Sequence, residues 1–215
     1  ALSAQNSATA DAEGGAIGGR DRTSVYIYGS QFGTGSSDYN YVAATATSTA
    51  ADNSYSANAT ANGGAIRLGS IATLSIADST LSGASNFYYN SATATIATSG
   101  ATVSVTGDVT ANGGAIYVGT SGTVNISSTA GATFSHNSAL AQGATVVLGD
   151  STATADGGAI FVGNYFTSFT LSKQLFTNNT ATATLSSKSG SAATLSSNVS
   201  GGAVYLGGGD GFSTG

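Results

Sequence analysis

The residues that could do chemistry are few and scattered along this 215-residue chain. Its ten acidic residues lie mostly singly, at places where turns are expected. Enzymes that cleave polysaccharides need clustered carboxylates, or a carboxylate beside Arg or Lys, on one face. The densest charge group is Asp21 between Arg20 and Arg22, which an exposed ion-paired turn explains. We therefore predict no catalytic residues and no enzymatic activity.

Metal ligands are equally sparse. His136 is the only histidine, and the absence of cysteine removes disulfides, thiolate zinc sites and thiol catalysis together. Asp108, Asp150 and Asp156 adjoin glycines at predicted turns, and their carboxylates are oxygen ligands that calcium accepts. No nonapeptide run of glycine and aspartate accompanies them. We predict no metal and no cofactor, with calcium at these aspartates as the open alternative.

Threonine alternates with small residues in several segments. On stacked strands, the hydroxyl and methyl groups would form a flat, regular array that resembles the ice-binding faces of some β-solenoids. Threonine and alanine also suit tight β stacking in general, so both interpretations stay open. The candidate array consists of Thr45, Thr47, Thr93, Thr95, Thr152, Thr154, Thr180 and Thr182.

Charge and hydropathy exclude two classes of partner. The net charge is −5, and the five basic residues are scattered, whereas nucleic-acid binding needs a basic footprint. No apolar run approaches the roughly 20 residues of a membrane span. We expect neither nucleic-acid binding nor a membrane span in this segment.

A Gly-Gly-Ala-Ile or Gly-Gly-Ala-Val motif occurs five times. Its first glycines are at positions 14, 63, 113, 157 and 201, so the steps are 49, 50, 44 and 44 residues. An internal repeat of this kind decides the fold before local propensity does. Two glycines suit a sharp corner, where the chain needs a positive φ or a close backbone approach. The repeated residues are Gly14, Gly15, Gly63, Gly64, Gly113, Gly114, Gly157, Gly158, Gly201 and Gly202, followed by Ile17, Ile66, Ile116, Ile160 and Val204.

Each repeat predicts a short strand after the glycines, a second alternating strand and a third element. The third element is aligned at Phe32 to Gly35, Leu81 to Ala84, Phe134 to Asn137 and Phe176 to Asn179. Its apolar residue points inward, and asparagine can hydrogen-bond along a stack of like residues. About twenty alternating residues then remain before the next glycine pair. We favour two coils per repeat, and one coil with a long hairpin insertion remains the alternative.

No segment has a convincing helical period, so the predicted fold is an all-β parallel solenoid without substantial helix. Residues 1–215 form one domain, as a segment of a longer repeat protein or as a filament subunit. Both ends fall in mid-coil, at Asn6 to Ala10 and after Val204, and should expose unpaired strand edges. Head-to-tail contact with copies of itself or with further repeats is therefore expected.

Two motifs together resemble the repeats of chlamydial-type polymorphic outer membrane proteins. They are the five Gly-Gly-Ala-Ile/Val sites and the Phe-x-x-Asn sites, and together they cover nearly the whole chain. The Phe-x-x-Asn sites are Phe87 to Asn90, Phe134 to Asn137 and Phe176 to Asn179. The resemblance implies a right-handed parallel β-helix of autotransporter type that is exported to the cell surface and used for adhesion.

The expected function is therefore that of a non-enzymatic extracellular structural or adhesive β-solenoid. A surface receptor or a glycan is the partner that such an adhesin implies. Ice binding through the threonine array is the alternative function, and a polysaccharide-active enzyme is the third.

Overall fold

The computed structural model describes residues 7–48, 55–79, 83–98, 105–144, 148–186 and 194–208. In these residues the chain is a parallel β-helix, and all of its regular elements are β-strands. Four coils of five strands are followed by the first two strands of a fifth coil.

The first two coils consist of β1 (Ser7–Glu13), β2 (Ile17–Gly19), β3 (Ser24–Tyr28), β4 (Gln31–Phe32) and β5 (Tyr41–Ser48), then β6 (Tyr55–Asn62), β7 (Ile66–Leu68), β8 (Thr73–Ala77), β9 (Asn86–Tyr88) and β10 (Ser91–Thr98). The later coils consist of β11 (Val105–Asn112), β12 (Ile116–Val118), β13 (Thr123–Ser127), β14 (Thr133–Ser135) and β15 (Ser138–Ala144), then β16 (Leu148–Asp156), β17 (Ile160–Val162), β18 (Ser168–Ser172), β19 (Leu175–Thr177) and β20 (Thr180–Leu185), and finally β21 (Leu195–Ser200) and β22 (Val204–Leu206).

Every strand pairs with the equivalent strand of the neighbouring repeat. Ile66 is in register with Ile17 on one side and with Ile116 on the other, and Ile160 and Val204 continue the column. The apolar residues that follow the glycine pairs therefore stack as a ladder through the coils. The result is five parallel sheets, two with five strands and three with four.

One repeat forms one coil, so the prediction of two coils per repeat is wrong. The segment at β10, which we assigned to a second coil, pairs with β5 and β15 one full repeat away. It belongs to an arm in which β5 runs outwards and β6 returns, close to the alternative of one coil with a hairpin insertion. β5 and β6 do not pair with each other and belong to different sheets. Each forms its backbone hydrogen bonds with the equivalent strands of neighbouring coils. Five strands per coil replace the predicted three.

The body of the helix encloses a core of large apolar side chains. Ile, Leu, Val and Phe residues from the sheets of β7, β8 and β9 and their equivalents face one another across it. Ile66, Leu74 and Phe87 have no exposed surface. Burying a side chain of this size contributes roughly 1.5–3 kcal/mol.

The arm has a different core, made mainly of alanine. Ala57, Ala59 and Ala61 of β6 face Ala92 and Ala94 of β10, and all are almost fully buried. Because most of these residues contribute only a methyl group, the two sheets of the arm can approach closely. The Ala-Thr alternation therefore encodes an inner alanine face and an outer polar face.

The two glycines of each motif serve different purposes. The first, as at Gly113, has φ of 62°, which is the left-handed region that glycine adopts without strain. The second is enclosed by backbone atoms of two strands: a Cβ on Gly114 would lie 2.1 Å from the carbonyl oxygen of Gly158, in the next coil, and 2.4 Å from the amide nitrogen of Ser138, in the same coil. Both reasons predicted for the glycine pair are thus present, one at each position.

We expect Gly114→Ala to lower the free energy of unfolding by about 3 kcal/mol or more, because its methyl group overlaps rigid backbone atoms. Gly202→Ala is the matched control. The same motif position there has no atom within 4 Å, so its effect should stay within about 0.5 kcal/mol. Urea unfolding of both variants measures the difference, and equal losses would contradict the close-approach explanation.

Candidate functional site

Asparagines at one corner form a continuous hydrogen-bonded ladder through all four complete coils. The side-chain amide of Asn40 donates to Asn90 Oδ1 at 3.0 Å, that of Asn90 to Asn137 Oδ1 at 2.9 Å, and that of Asn137 to Asn179 Oδ1 at 2.9 Å. Asn137 Oδ1 also accepts from the backbone N–H of Asn90, and Asn137 Nδ2 donates to the carbonyl of Phe87. The buried amide of Asn137 is thus fully satisfied, as buried polar groups require.

A stack of phenylalanine rings accompanies the asparagine ladder. Ring centroids are 4.7 Å apart for Phe32–Phe87, 4.7 Å for Phe87–Phe134 and 5.0 Å for Phe134–Phe176, with nearly parallel planes. Phe134, Asn137, Phe176 and Asn179 therefore have the structural role that the repeat predicts.

The predicted alignment of the third element is wrong in the second coil, and in the first coil it is right at Phe32, which pairs with Phe87, but wrong at Gly35. In the second coil, Phe87 pairs with Phe134, so the motif runs from Phe87 to Asn90 rather than from Leu81 to Ala84, where residues 81 and 82 lie outside the described residues. In the first coil, Asn40 takes the ladder position. Between Phe32 and Asn40, a turn closed by the hydrogen bond from Thr34 Oγ1 to Asp38 Oδ2, 2.7 Å long, interrupts the motif spacing.

Individual aspartates join one coil to the next. The carboxylate of Asp78 accepts hydrogen bonds from Ser128 Oγ at 2.6 Å, from Thr129 Oγ1 at 2.7 Å and from the Thr129 and Ala130 amides. These donors, the Ser128 hydroxyl foremost, hold the pKa of the Asp78 carboxyl far below its usual range. Asp78 is therefore ionised, and its hydrogen bonds join the second coil to the third.

The predicted ion pairing around Asp21 does not occur as expected. Asp21 Oδ1 accepts from the backbone N–H of Ser70 at 2.7 Å, in the next coil. In the part of the chain that the structure describes, the salt bridge joins Arg67 to Glu13 at 3.0 Å. The opposite charges thus meet across coils rather than along the chain.

His136 occupies a turn with φ of 56° and is exposed. Its ring stacks on Tyr89 at 4.6 Å, Nδ1 lies 2.7 Å from Ser135 Oγ, and Nε2 lies 3.1 Å from Asn178 Nδ2. Both ring nitrogens are therefore engaged with neighbouring polar side chains, as a structural role requires.

The three aspartates considered for calcium do not form one cluster. Asp156 pairs with Asn112, whereas Asp108 pairs with Thr152 farther back along the strands, so Asp108 and Asp156 are about 13 Å apart along the strand direction. Asp150 accepts from the Thr194 amide at 2.8 Å. Within the described ranges, no group of three or more His, Asp or Glu residues could hold a metal ion.

The threonines lie on two outer faces rather than in one array. Thr45 and Thr95 are in register on the outer face of the β5–β10–β15–β20 sheet, but Gln142 follows them, and Leu140 separates Thr93 from Thr182. Thr47, in the same sheet, is exposed and pairs with Ala97, and Thr180 pairs with Ser138. Thr152 and Thr154 are on β16, in the opposite sheet of the arm.

Two further columns of stacked side chains were not predicted from the sequence. The outer residue after the motif isoleucine or valine is aromatic in the last three coils, where Tyr117, Phe161 and Tyr205 stack at 5.0 Å, and is Gly18 or Arg67 in the first two. The residue before each glycine pair forms a polar column that contains Asn62, whose Oδ1 accepts from Asn112 Nδ2 at 3.1 Å. The recurrence of aromatic and amide residues at fixed offsets from the glycines was the signal for both.

No protein-family model, curated protein or solved structure matches this chain. Among the described residues, there is no helix with the length and hydropathy needed to cross a membrane.

We expect Asn137→Ala to lower the free energy of unfolding by about 3 kcal/mol, because it removes the acceptor of the Asn90 backbone N–H and the side-chain donor to the Phe87 carbonyl. Asn179 Oδ1 loses its side-chain donor and keeps only the backbone N–H of residue 137. Asn125→Ala is the control in the same coil, since Asn125 is on the exposed face of β13. Its effect should stay within about 0.5 kcal/mol. If urea unfolding gives similar midpoints for the two variants, the ladder is not a major source of stability.

Proposed function

We propose that this chain is a non-enzymatic structural or adhesive element of an extracellular fibre or cell surface. It extends along its axis by head-to-tail addition of coils, either from a second copy or from further repeats. The observation that carries the proposal is that the phenylalanine and asparagine columns run from coil to coil through all four complete coils. Such columns can accept another equivalent coil at either end.

The two ends leave the same apolar columns partly open. Ile66 and Phe87 are fully buried in the second coil, whereas Ile17 and Phe32 in the first coil are only partly buried. At the other end, Phe176 and Val204 are partly exposed in the same two columns. A further coil at either end would bury these side chains, which favours axial association.

The direction of the asparagine ladder favours head-to-tail contact. Each amide-to-amide bond runs from a side-chain N–H to Oδ1 in the following coil, from Asn40 to Asn179. The second N–H of Asn90, Asn137 and Asn179 donates to a carbonyl of the preceding coil. An added coil at that end therefore meets a donor, and one at the opposite end meets the Oδ1 acceptor of Asn40. Strand edges that are parallel and unlike at the two ends form heterologous contacts, and these produce filaments when they do not close.

Exposed tyrosines on the first coil favour the adhesive role. Tyr26, Tyr28 and Tyr41 are 62%, 60% and 59% exposed on outer faces. Tyrosine combines an apolar ring with a hydrogen-bonding hydroxyl and is enriched at binding surfaces. The resemblance to surface-exposed repeat proteins supports the extracellular location and a receptor or glycan as the partner.

Sedimentation velocity at increasing protein concentration tests self-association. We expect the wild-type chain to associate and Leu171→Lys to remain monomeric, because an inward-pointing charge on β18 opposes stacking on that end. Thr170→Lys adds the same charge to the outer face of the same strand and should still associate. Circular dichroism establishes that both variants are folded. A wild-type monomer at all concentrations would contradict stacking of copies and leave further repeats as the source of added coils.

Ice binding is the second candidate function. It is supported by Thr45, Thr93 and Thr95, which point outwards from adjacent strands about 4.8 Å apart. Under this hypothesis, the protein at micromolar concentration shapes ice and lowers the freezing point below the melting point, and Thr95→Lys loses most of that difference. Thr60→Lys, on the outer face of the opposite sheet, is the control. No hysteresis in the wild type would remove this function.

A further inference from the structure

The residue before each glycine pair forms a column in register through the rod. Glu13, Asn62, Asn112, Asp156 and Ser200 succeed one another in the five coils. The three central members are buried, with exposed fractions of 7% for Asn62, 8% for Asn112 and 9% for Asp156. Asp156 is thus a buried acid at a position where two preceding coils have an amide.

The hydrogen bonds of this column link consecutive coils. Asn112 Nδ2 donates to Asn62 Oδ1 at 3.1 Å in the preceding coil, which leaves Asn112 Oδ1 available to Asp156, its paired residue in the following coil. Asp156 in turn accepts from the hydroxyl and the backbone N–H of Ser200, in the coil beyond. Within the residues that the structure describes, neither Asn112 Oδ1 nor Asp156 Oδ1 has a hydrogen-bond partner.

Two buried acceptor oxygens on paired residues that both lack a donor are unfavourable, because each has lost its bonds to water. The strands are about 4.8 Å apart, and the preceding step of the column spans that spacing with one direct hydrogen bond. The same step between Asn112 and Asp156 therefore has room for a shared proton and not for an intervening water. A carboxylic acid at Asp156 would supply the donor that an asparagine supplies one coil earlier.

We propose that Asp156 is a neutral carboxylic acid in the folded chain and donates its proton to Asn112 Oδ1. The column then continues as an unbroken hydrogen-bonded ladder from Asn62 through Asn112 and Asp156 to Ser200. Its acid form makes the contact between the third and fourth coils dependent on pH.

The electrostatic surroundings agree with a retained proton. Burial raises the pKa of the Asp156 carboxyl, and the two hydrogen bonds from Ser200 oppose this effect only in part. Asp108 on β11 and Asp150 on β16 are acidic, exposed and farther back along the packed strands, and the remaining strands packed on β16, which are β15, β20 and β21, carry no charged residue. Glu13, in the same column, is paired with Arg67.

The sign of the pH dependence follows from the raised pKa. Below the pKa of an unfolded aspartate, about 3.9, both states are protonated and stability does not depend on this group. As pH rises above that value, the unfolded chain releases the proton first, so stability falls until the folded pKa is passed. Deprotonation restores the clash between two acceptors.

The test compares wild type, Asp156→Asn and Asp150→Asn by thermal unfolding between about pH 4 and pH 8. An asparagine at 156 donates permanently, so its melting temperature should exceed that of the wild type by about 3 °C or more at the upper end of the range, and the difference should shrink towards acid pH. Asp150→Asn, on the same strand, makes the same charge change on an exposed residue that accepts from Thr194, and should follow the wild-type profile.

A second measurement does not depend on the folding of a variant. Infrared spectra of the wild type should contain a protonated-carboxyl band that persists at about pH 6, where ordinary aspartates and glutamates are ionised. If that band instead disappears over the same pH range as the bands of the other protonated carboxyl groups, the proposal is overturned. So would an Asp156→Asn variant that is less stable at all pH values, or a wild-type melting temperature that rises with added sodium or calcium chloride while that of Asp156→Asn does not, since a cation would then occupy the site.

Discussion

The second glycine of the repeated motif lies so close to the backbone of the next coil that no side chain fits there, and this contact constrains the register of the rod. At Gly64 and Gly114 the backbone of the neighbouring coil occupies the space where any side chain would begin. A shift of one residue would bring an alanine to this point and reverse the inner and outer faces of every strand. The close approach therefore selects one register, and every other residue stacks on its equivalent.

The stacking of equivalent residues favours side chains that can pack against, or hydrogen-bond with, an identical side chain in the next coil. Phenylalanine rings stack on one another, and asparagine both donates and accepts, so Phe134 and Asn137 can repeat in consecutive coils without penalty. An ionised aspartate only accepts and cannot repeat in this way. Asp78 avoids the difficulty by facing hydroxyl and amide donors of the next coil, whereas buried Asp156 faces an acceptor.

Much of the fold could be predicted from the sequence because the register repeats the motif itself. The glycine pairs, the isoleucine column and the Phe-x-x-Asn sites were all identifiable, since like residues stack in a solenoid. The number of coils per repeat was not, because the alternation of Ala and Thr in residues 91–98 is the same whether the strand closes a coil or builds an arm. Its pairing partner lies a full repeat away, which only the three-dimensional structure reveals.

The hydrogen bonds between coils lie along the axis of the rod, with consequences for how it bears force. Tension applied along the axis loads the coil-to-coil contacts in series. Each contact then bears the full force, and coils detach one at a time from an end. Tension across the rod instead shears many strands at once. The asparagine ladder from Asn40 to Asn179, which adds an amide bond to each axial contact, therefore reinforces the molecule in its mechanically weakest direction.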